Sequence, residues 1–540
     1  MVRKILFAFT SLALLQASAQ QLDLGFGING KVMTSFGLKE SNLGTIAIQS
    51  DGKILACGSY HTYTSSPFFI GNEIALSRYN TDGSLDLSFG TQGKVLIPIG
   101  SNTENENNTV RVLEDGKILI MANNTIRVSQ FVTRDEYALI KYNPDGTPDS
   151  GFGANGIALI GFEGHANRAD AMDLQQDGKI ILVGGSEQIS INDYGNFVAV
   201  RLNANGTKDL GFGNDGRIHY NIGTTFRETD PTEDFAQAVI VQPDGKILLG
   251  GSNSVSAAET GGAALIRLNT DGTLDTSFGN NGRVITSFDS HMTVTSVSLL
   301  PDGKIVASGV YFFNDDSNEK IVVLKYDANG APDVTFGNEG KLILDGGYDE
   351  PVFFSYTSII QPDGKILVSG WGNKDNNQDE NFDAFIIRLN ANGSIDTSFG
   401  DNGYLWSGFG LDLISNDLLL QPDGKLLVGG TTIDLTEPNE FVLWRYEPLN
   451  LSVATSNNTM FAITPNPFKD FITITNVSKR DHPQSAILSD LSGRMVTSMA
   501  FNQTALNENV RMPMPESLPK GVYILTIENN YSSVSVKIVK

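Results

Sequence analysis

Residues 361–370 (QPDGKILVSG) and 395–403 (IDTSFGDNG) decide the fold of this chain, because both patterns recur along it. In the first, Asp-Gly separates two apolar runs, which is typical of a β-hairpin whose two turn residues need a positive φ. In the second, Phe-Gly-x-x-Gly marks another tight turn. The unit that contains both patterns lacks the 3.6-residue period of a helix. The pair therefore predicts short strands joined by tight turns.

The two patterns alternate with a fixed period. Asp-Gly-Lys followed by two aliphatic residues begins at Asp51, Asp115, Asp177, Asp244, Asp302, Asp363 and Asp423. Phe-Gly-x-x-Gly begins at Phe26, Phe89, Phe152, Phe212, Phe278, Phe336 and Phe399. The first and last copies of the Asp-Gly-Lys turn are 372 residues apart, so the period averages 62 residues. Such a period is the signature of a repeat architecture.

Each unit predicts four antiparallel strands, and seven units predict an all-β, seven-bladed β-propeller. Residues 31–36 form a fourth strand with no first three strands before them. The seventh unit stops after its third strand, residues 441–446. Because pairing these two strands removes both open edges, we expect the ring to close by an N-terminal strand.

Residues 1–19 predict a cleaved secretory signal peptide. Two positive charges precede an apolar run at residues 5–15, and Ala17-Ser18-Ala19 fits a signal peptidase site. Cleavage is therefore expected between Ala19 and Gln20. The apolar run is shorter than the ~20 residues that span a bilayer, and no transmembrane segment is expected elsewhere.

Composition excludes several kinds of site. The chain has 540 residues, with 38 Lys and Arg against 61 Asp and Glu, a net charge of −23. Such an acidic protein repels phosphate backbones, so no nucleic-acid partner is expected. Cys57 is the single cysteine, which excludes an intramolecular disulfide and predicts a buried thiol. The histidines share no repeat position or metal-ligand spacing, and turn geometry explains the repeated aspartates, so we expect no metal, no cofactor and no assigned catalytic residue.

The pattern Leu-Asp-x-Ser-Phe-Gly-x-x-Gly, combined with Pro-Asp-Gly-Lys-Ile, resembles the delta-60 repeat of bacterial β-propellers. The resemblance covers about Leu22 to Tyr446. It implies a propeller and brings no established chemistry with it.

The C-terminal residues lose the period and read as a small Ig-like β-sandwich of short strands with Pro and Gly turns. This segment resembles the C-terminal sorting domain of the type IX secretion system. The matching residues are Pro465, Asn466, Pro467, Gly493, Arg494, Gly521, Tyr523, Lys537 and Lys540. The resemblance implies the type IX secretion machinery as a partner. It also implies a location in the medium or on the outer-membrane surface.

These observations predict four segments: a signal peptide at residues 1–19, a propeller at 20–447, a linker at 448–459 and a sorting domain at 460–540. Loops between the second and third strands differ in every unit, whereas the turns on the opposite face barely vary. Because loops on a rigid scaffold carry function, we expect ligand binding on this variable face. The candidate contacts are Tyr60, His61, Tyr311, Phe312 and Trp371.

The expected function is an exported, non-enzymatic binding scaffold for a glycan, a peptide or a surface protein. Two alternatives stay open. A propeller enzyme acting on polysaccharide would need two carboxylates about 5–10 Å apart, for example among Asp193, Glu228, Asp316 and Asp375. A structural or adhesive component of the cell surface would need no such pair.

Overall fold

The computed structural model describes much of the chain after residue 19. The described residues are 20–61, 73–99, 108–127, 133–162, 165–188, 196–220, 222, 234–255, 260–312, 319–344, 353–372, 382–433, 437–448, 461–464, 468–476, 483–490, 494–500, 510–515, 518–519, 521–529 and 533–540. Within these ranges all regular elements are strands and none is a helix, which confirms the all-β class. The expected signal peptide lies outside the described residues.

The repeat region forms seven four-stranded antiparallel sheets, as predicted for seven blades. The innermost strands are β2 (Glu40–Ile48), β6 (Thr109–Val112), β10 (His165–Leu174), β14 (Phe235–Val241), β18 (Met292–Leu299), β22 (Phe353–Ile360) and β26 (Leu413–Leu420). The second strands are β3 (Ile54–His61), β7 (Ile118–Arg127), β11 (Ile180–Gln188), β15 (Ile247–Val255), β19 (Ile305–Tyr311), β23 (Ile366–Gly372) and β27 (Leu426–Thr432). The third strands are β4 (Glu73–Tyr79), β8 (Thr133–Tyr142), β12 (Asn196–Leu202), β16 (Thr260–Leu268), β20 (Lys320–Tyr326), β24 (Asp383–Leu389) and β28 (Phe441–Tyr446).

The outermost strands show how the ring is completed. They are β5 (Lys94–Pro98), β9 (Ile157–Ile160), β13 (Arg217–Tyr220), β17 (Arg283–Phe288), β21 (Lys341–Leu344), β25 (Tyr404–Trp406) and, in the seventh blade, β1 (Lys31–Thr34). β1 runs antiparallel to β28 from the Lys31–Trp444 pair to the Thr34–Phe441 pair. β2 of the first blade also contacts β26 of the seventh. The sheets therefore follow one another in a closed ring.

The hairpin between the first two strands of each blade differs from the expected two-residue turn. In the sixth blade the Gly364 amide donates to the Gln361 carbonyl and the Gln361 amide donates to the Lys365 carbonyl. Gly364 has φ of +81°, whereas Asp363 is absent from the residues of positive φ. The connection is therefore a three-residue loop in which Pro362 and Asp363 occupy a type I turn and only Gly364 is left-handed. The expectation of positive φ at both residues was wrong, because Pro and Asp favour the central positions of a type I turn.

Hydrophobic cores lie between successive blades. Leu55 and Cys57 of the first blade pack with Ile118 and Ile120 of the second, for example. The predicted burial of Cys57 is confirmed, and burial raises the pKa of its thiol. The Phe side chains of all seven Phe-Gly turns are also buried, at 2% exposure or less. Because each core needs two blades, the ring is stabilised as a whole.

The C-terminal segment forms two sheets. One contains β29 (Phe461–Thr464), β30 (Phe471–Asn476) and β33 (Val510–Pro513). The other contains β32 (Met495–Ala500), β31 (Pro483–Ser489), β34 (Val522–Asn529) and β35 (Ser533–Val539). Side chains of both sheets, including Ile472, Met512, Leu488 and Leu525, share one core. This arrangement is a two-layer β-sandwich.

Candidate functional site

One face of the propeller is built from a cluster that repeats in every blade. In the fourth blade, the Arg267 Nε donates to Asp275 at 2.7 Å, and Lys246 approaches the same carboxylate at 2.9 Å. The Arg267 guanidinium also lies 4.5 Å from the centre of the Phe278 ring. Burial raises the pKa of Asp275, but hydrogen bonds from Ser277 and Lys246 outweigh it and hold that pKa far below its usual range. The carboxylate therefore remains ionised and anchors the turn.

The corresponding Asp residues are Asp23, Asp86, Asp149, Asp209, Asp275, Asp333 and Asp396. Sequence reasoning missed this cluster, although a signal was present. In six units an Arg or Lys precedes the Asp by eight residues, as Arg78 precedes Asp86. Because an Asp bonded to cationic side chains recurs in every blade and holds the same turn, the cluster has a structural role.

The centre of the ring contains a cavity of about 410 Å³. All seven innermost strands, or the residues directly beside them, contribute to its wall. The polar lining residues are Thr45, Asn108, Thr109, Arg111, Asp170, Gln237, Thr295, Ser296, Thr357, Ser358, Asn416 and Asp417. The volume lies within the ~300–1,000 Å³ typical of small-molecule sites. We call this cavity the central channel.

A β-bulge at the same place in six innermost strands shapes the channel. The register shifts at Gly44, Asp170, Gln237, Thr295, Tyr356 and Asn416, each seven residues before the Asp of the hairpin. Asn108 holds this position in the second blade and also lines the channel. The extra residue of a bulge breaks strand alternation and re-aims the neighbouring side chains. Simple in–out alternation along these strands therefore could not have identified the lining.

Polar contacts close each seam between blades beside the channel. They join Thr45 to Val110, Asn123 to Ala169, Asp173 to Val241, Gln237 to Thr293, Ser296 to Ser358, Ser369 to Ser415, and Asp417 to Ile46. Many of them use a side-chain oxygen to accept from a backbone amide of the next innermost strand. Such strands are sheet edges, so these contacts satisfy donors that the ladder leaves unpaired.

Charged groups in the channel are few. Arg111 is the one cation in its described lining, whereas Asp170 and Asp417 are the acidic lining residues. Burial raises the pKa of Asp417 to about 6, against the lowering effect of the Ile46 and Leu418 amides and of Arg111. Both carboxylate oxygens of Asp417 accept from those amides, at 2.9 and 2.8 Å. Asp417 is thus committed to the seam between the seventh and first blades.

Two of the predicted ligand contacts lie at the end of β3. Tyr60 is 8% exposed and His61 is 6% exposed. The Tyr60 ring packs near Phe36, with centroids 6.3 Å apart, and the His61 Nδ1 lies 3.4 Å from the Ser59 hydroxyl. These side chains offer little surface to a ligand, and their proposed role stays a prediction.

The other three predicted contacts lie on the neighbouring fifth and sixth blades. Tyr311 is buried, and its hydroxyl donates to Asp289. The Phe312 ring lies 5.5 Å from the His291 ring in a tilted arrangement, and Trp371 packs edge-on against Phe382 at 4.9 Å. Phe312 and Trp371 keep partial exposure. Blades five and six are not neighbours of the first blade, so the five candidates do not form one cluster.

Much of the predicted variable face lies outside the described residues. This holds for the four carboxylates that the enzyme alternative named, Asp193, Glu228, Asp316 and Asp375. Within the described residues no group of three or more His, Cys, Asp or Glu side chains could hold a metal ion. The same residues contain no helix with the length and apolar character that a membrane span requires.

The predicted sorting residues are placed in part. Pro465, Asn466, Pro467 and Gly493 lie outside the described residues, as does Ala19 at the expected cleavage point. Arg494 pairs with Asp490 at 3.0 Å, and the Tyr523 hydroxyl donates to Pro519 O at 2.8 Å. Gly521 and Lys540 exchange backbone hydrogen bonds, and Lys537 pairs with Ile524. At the other terminus the Gln20 side-chain amide donates to the Glu447 carbonyl.

Two protein families match the chain. The family described as "Domain of unknown function (DUF5122) beta-propeller" matches residues 49–89, 113–152, 175–212, 242–278, 300–336, 361–399 and 421–453. The family described as "Secretion system C-terminal sorting domain" matches residues 462–540. No curated protein matches the sequence.

Several solved structures resemble the fold at low identity. The polysaccharide lyase Uly1 is 11% identical, with 77% of this chain and 98% of that chain covered and a TM-score of 0.45. An inactive variant of virginiamycin B lyase from Staphylococcus aureus is 10% identical, with 77% and 98% covered and a TM-score of 0.37. The α-L-arabinanase of Penicillium chrysogenum is 11% identical, with 76% and 98% covered and a TM-score of 0.36. At these values no function is transferred from them.

Proposed function

Since this chain is a DUF5122 β-propeller followed by a type IX secretion C-terminal sorting domain, which directs it to the cell surface or the extracellular space, we propose that its propeller is a non-enzymatic binding module for an extracellular ligand. The sorting domain accounts for export, and the propeller supplies the recognition surface. The central channel and the variable loop face around it are the proposed site.

A single comparison within the chain supports this proposal. The bulge position of the innermost strand has the same place in every blade, yet its residues are Gly44, Asn108, Asp170, Gln237, Thr295, Tyr356 and Asn416. The backbone geometry of a bulge does not demand so many different side chains. By contrast, the structural Asp of the opposite face is the same in all seven blades. A polar cavity whose wall differs from blade to blade suits a ligand of unsymmetrical shape.

The loop face enters the proposal through the five residues expected from the sequence. Tyr60, His61 and Tyr311 contribute by holding the rim, and Phe312 and Trp371 by direct contact, since only the latter two keep partial exposure. Aromatic rings at a rim supply contact area at low entropic cost.

The test is a glycan and peptide array probed with the full chain that begins at Gln20. Binding to one class of ligand supports the proposal, and absence of binding to every glycan and peptide contradicts it. Gln237→Ala and Asn416→Ala, both in the channel wall, should weaken the binding at least tenfold. Trp371→Ala tests whether the rim of the loop face contributes to the same binding.

Ser394→Ala is the matched control. Ser394 is exposed in the repeated turn of the opposite face, where its hydroxyl contacts only the neighbouring turn residues Asn390 and Asn392. This variant should bind as the unchanged protein does. Equal losses in the control and the channel variants would indicate a general effect on folding and would contradict a channel site.

A further inference from the structure

We propose that the central channel binds a saccharide that carries a carboxylate, with Arg111 as the residue that receives the acidic group. This inference rests on the proposed binding function and specifies the class of ligand.

Arg111 has an unusual position for an arginine in an acidic protein. It belongs to β6, is partly exposed and lines the cavity. The Arg111 Nη1 donates a hydrogen bond to the carbonyl of its neighbour, Val110 O, at 3.0 Å. Among the residues that the structure describes, none places a carboxylate oxygen within the 4.0 Å of an ion pair with it. The planar guanidinium therefore keeps donors available for a ligand.

The carboxylates near Arg111 are committed elsewhere. Asp170 pairs with Arg168 at 3.2 Å. Asp173 accepts from the Val241 amide at 2.7 Å, and Asp417 accepts from the Ile46 and Leu418 amides. Burial raises the pKa of both Asp173 and Asp417, and the charge of Arg111 opposes that rise through space. A ligand carboxylate could meet the guanidinium directly, in the two-bond geometry that arginine forms with carboxylates.

The side-chain amides of Gln237 and Asn416, in the channel wall, are oriented so that their NH₂ groups can donate. The Gln237 Oε1 accepts from the Thr293 hydroxyl at 2.6 Å, and the Asn416 Oδ1 accepts from the Thr431 hydroxyl at 3.1 Å. With their oxygens engaged, these side chains present their NH₂ groups for further bonds. The wall thus offers donors from three separate blades within one cavity of about 410 Å³.

The rest of the lining suits a polyhydroxylated molecule better than a peptide. Thr109, Thr295, Thr357 and Ser358 add hydroxyl groups, which both donate and accept. A sugar carries similar groups around its ring and can satisfy several of them at once. No aromatic residue lines the described part of the channel, so it offers no pocket for a large apolar side chain.

The net charge of −23 argues against nonspecific attraction of an anion. At an ionic strength of 0.15 M charges are screened beyond about 8 Å. Recognition of an acidic sugar would then depend on the local guanidinium. A single arginine should therefore decide the preference between an acidic and a neutral saccharide.

The experiment compares two disaccharides that differ only in this group: glucuronosyl-β-1,4-glucose, which has a carboxylate, and cellobiose, which has a hydroxymethyl group in its place. Binding of each to the full chain is measured by calorimetry at 0.15 M salt. We expect at least tenfold tighter binding of the acidic disaccharide. Arg111→Gln should remove this preference, and Arg111→Lys should restore part of it.

Arg283→Gln is the matched control, because it removes the same charge from β17, an outermost strand. It should keep the tenfold preference. Circular dichroism of each variant checks that the strands form. If Arg111→Gln does not fold, the preference measured for Arg111→Lys decides the test. Equal binding of both disaccharides, binding of neither, or a preference unchanged in both Arg111 variants would overturn the inference. Binding of a neutral glycan or a peptide on the array would then leave the general binding function standing.

Discussion

The carboxylate of Asp23 accepts a hydrogen bond of 2.8 Å from the Arg445 Nε, although 422 residues separate the two in the chain. Lys425 donates to the same carboxylate at 2.6 Å, and the Arg445 guanidinium lies 4.3 Å from the centre of the Phe26 ring. In other blades these groups come from one continuous unit. The N-terminal segment therefore supplies the seventh blade with a complete turn cluster as well as a strand.

Replacement of Asp23 by Asn should weaken the closed ring. The change leaves buried Arg445 and partly buried Lys425 without their counter-charge, and removal of one partner of a buried ion pair costs about 3–5 kcal/mol. Because Lys425 is only partly buried, the expected loss lies toward the smaller figure. Denaturant unfolding followed by circular dichroism measures it.

Asp82→Asn provides the control for that measurement. Asp82 is exposed, and its carboxylate accepts hydrogen bonds from Ser84 of its own turn, so its replacement should change stability by less than about 0.5 kcal/mol. Equal unfolding midpoints for Asp23→Asn and the unchanged protein would show that the seam does not depend on this pair.

A chain that begins at residue 37 should associate with itself. It lacks β1, so β28 becomes an edge strand that carries apolar residues such as Val442 and Trp444. Unpaired edges of this kind recruit other strands. Size-exclusion chromatography should show oligomers for this variant and a single species for a chain that begins at Gln20. A monodisperse truncated chain would contradict the closure by β1.

Asp417 should make stability depend on pH in a defined direction. Its pKa is raised from 3.8 to about 6 by burial, so the folded protein holds a proton that the unfolded chain releases. Stability from this group is therefore complete below about pH 4 and is lost as the pH rises toward 6. Asp417→Asn has no carboxyl group at this position, so its stability lacks this pH-dependent contribution.

Urea unfolding of both proteins at pH 4.5 and pH 7.5 isolates the effect, because other groups titrate alike in the two. The unchanged protein should lose stability relative to Asp417→Asn between these values. If the two proteins differ in stability by the same amount at both pH values, that result would count against a raised pKa of Asp417.

Gly44→Ala should destabilise the seam between the first and second blades. A Cβ at Gly44 would lie 2.4 Å from the Asn108 carbonyl oxygen, which is backbone and has little room to move. Overpacking of this kind costs about 1–3 kcal/mol. The measurement is thermal unfolding, with Gly151→Ala as its control.

At Gly151 the added Cβ would meet only the Asp149 side chain, 3.5 Å away. That variant should unfold within about 2 °C of the unchanged protein, since a fraction of a kcal/mol shifts the midpoint of a large domain by little. A Gly44→Ala midpoint equal to that of Gly151→Ala would mean that the bulge tolerates a side chain.

The strands followed from patterns of near neighbours, and the closing pair followed from the incomplete units at the two ends of the repeat. Pro362-Asp363-Gly364 predicts a hairpin wherever it stands, because turn preferences act within four residues. The exact turn type did not follow, since Asp-Gly occurs in both two- and three-residue loops. The cluster of Arg267, Asp275 and Phe278 also escaped notice, although its spacing was constant, because a buried ion pair stacked on a ring is visible only in three dimensions.

By itself the sequence determined the repeat, the seven blades and the C-terminal sorting domain, because each depends on short local patterns. Only the tertiary structure decided which side chains line the channel and that Arg111 has no ion pair among the described residues there. The lining residues lie about one period apart and meet only when the ring closes. A bulge in the innermost strands also breaks the in–out alternation of side chains, from which the channel-facing residues would otherwise be assigned.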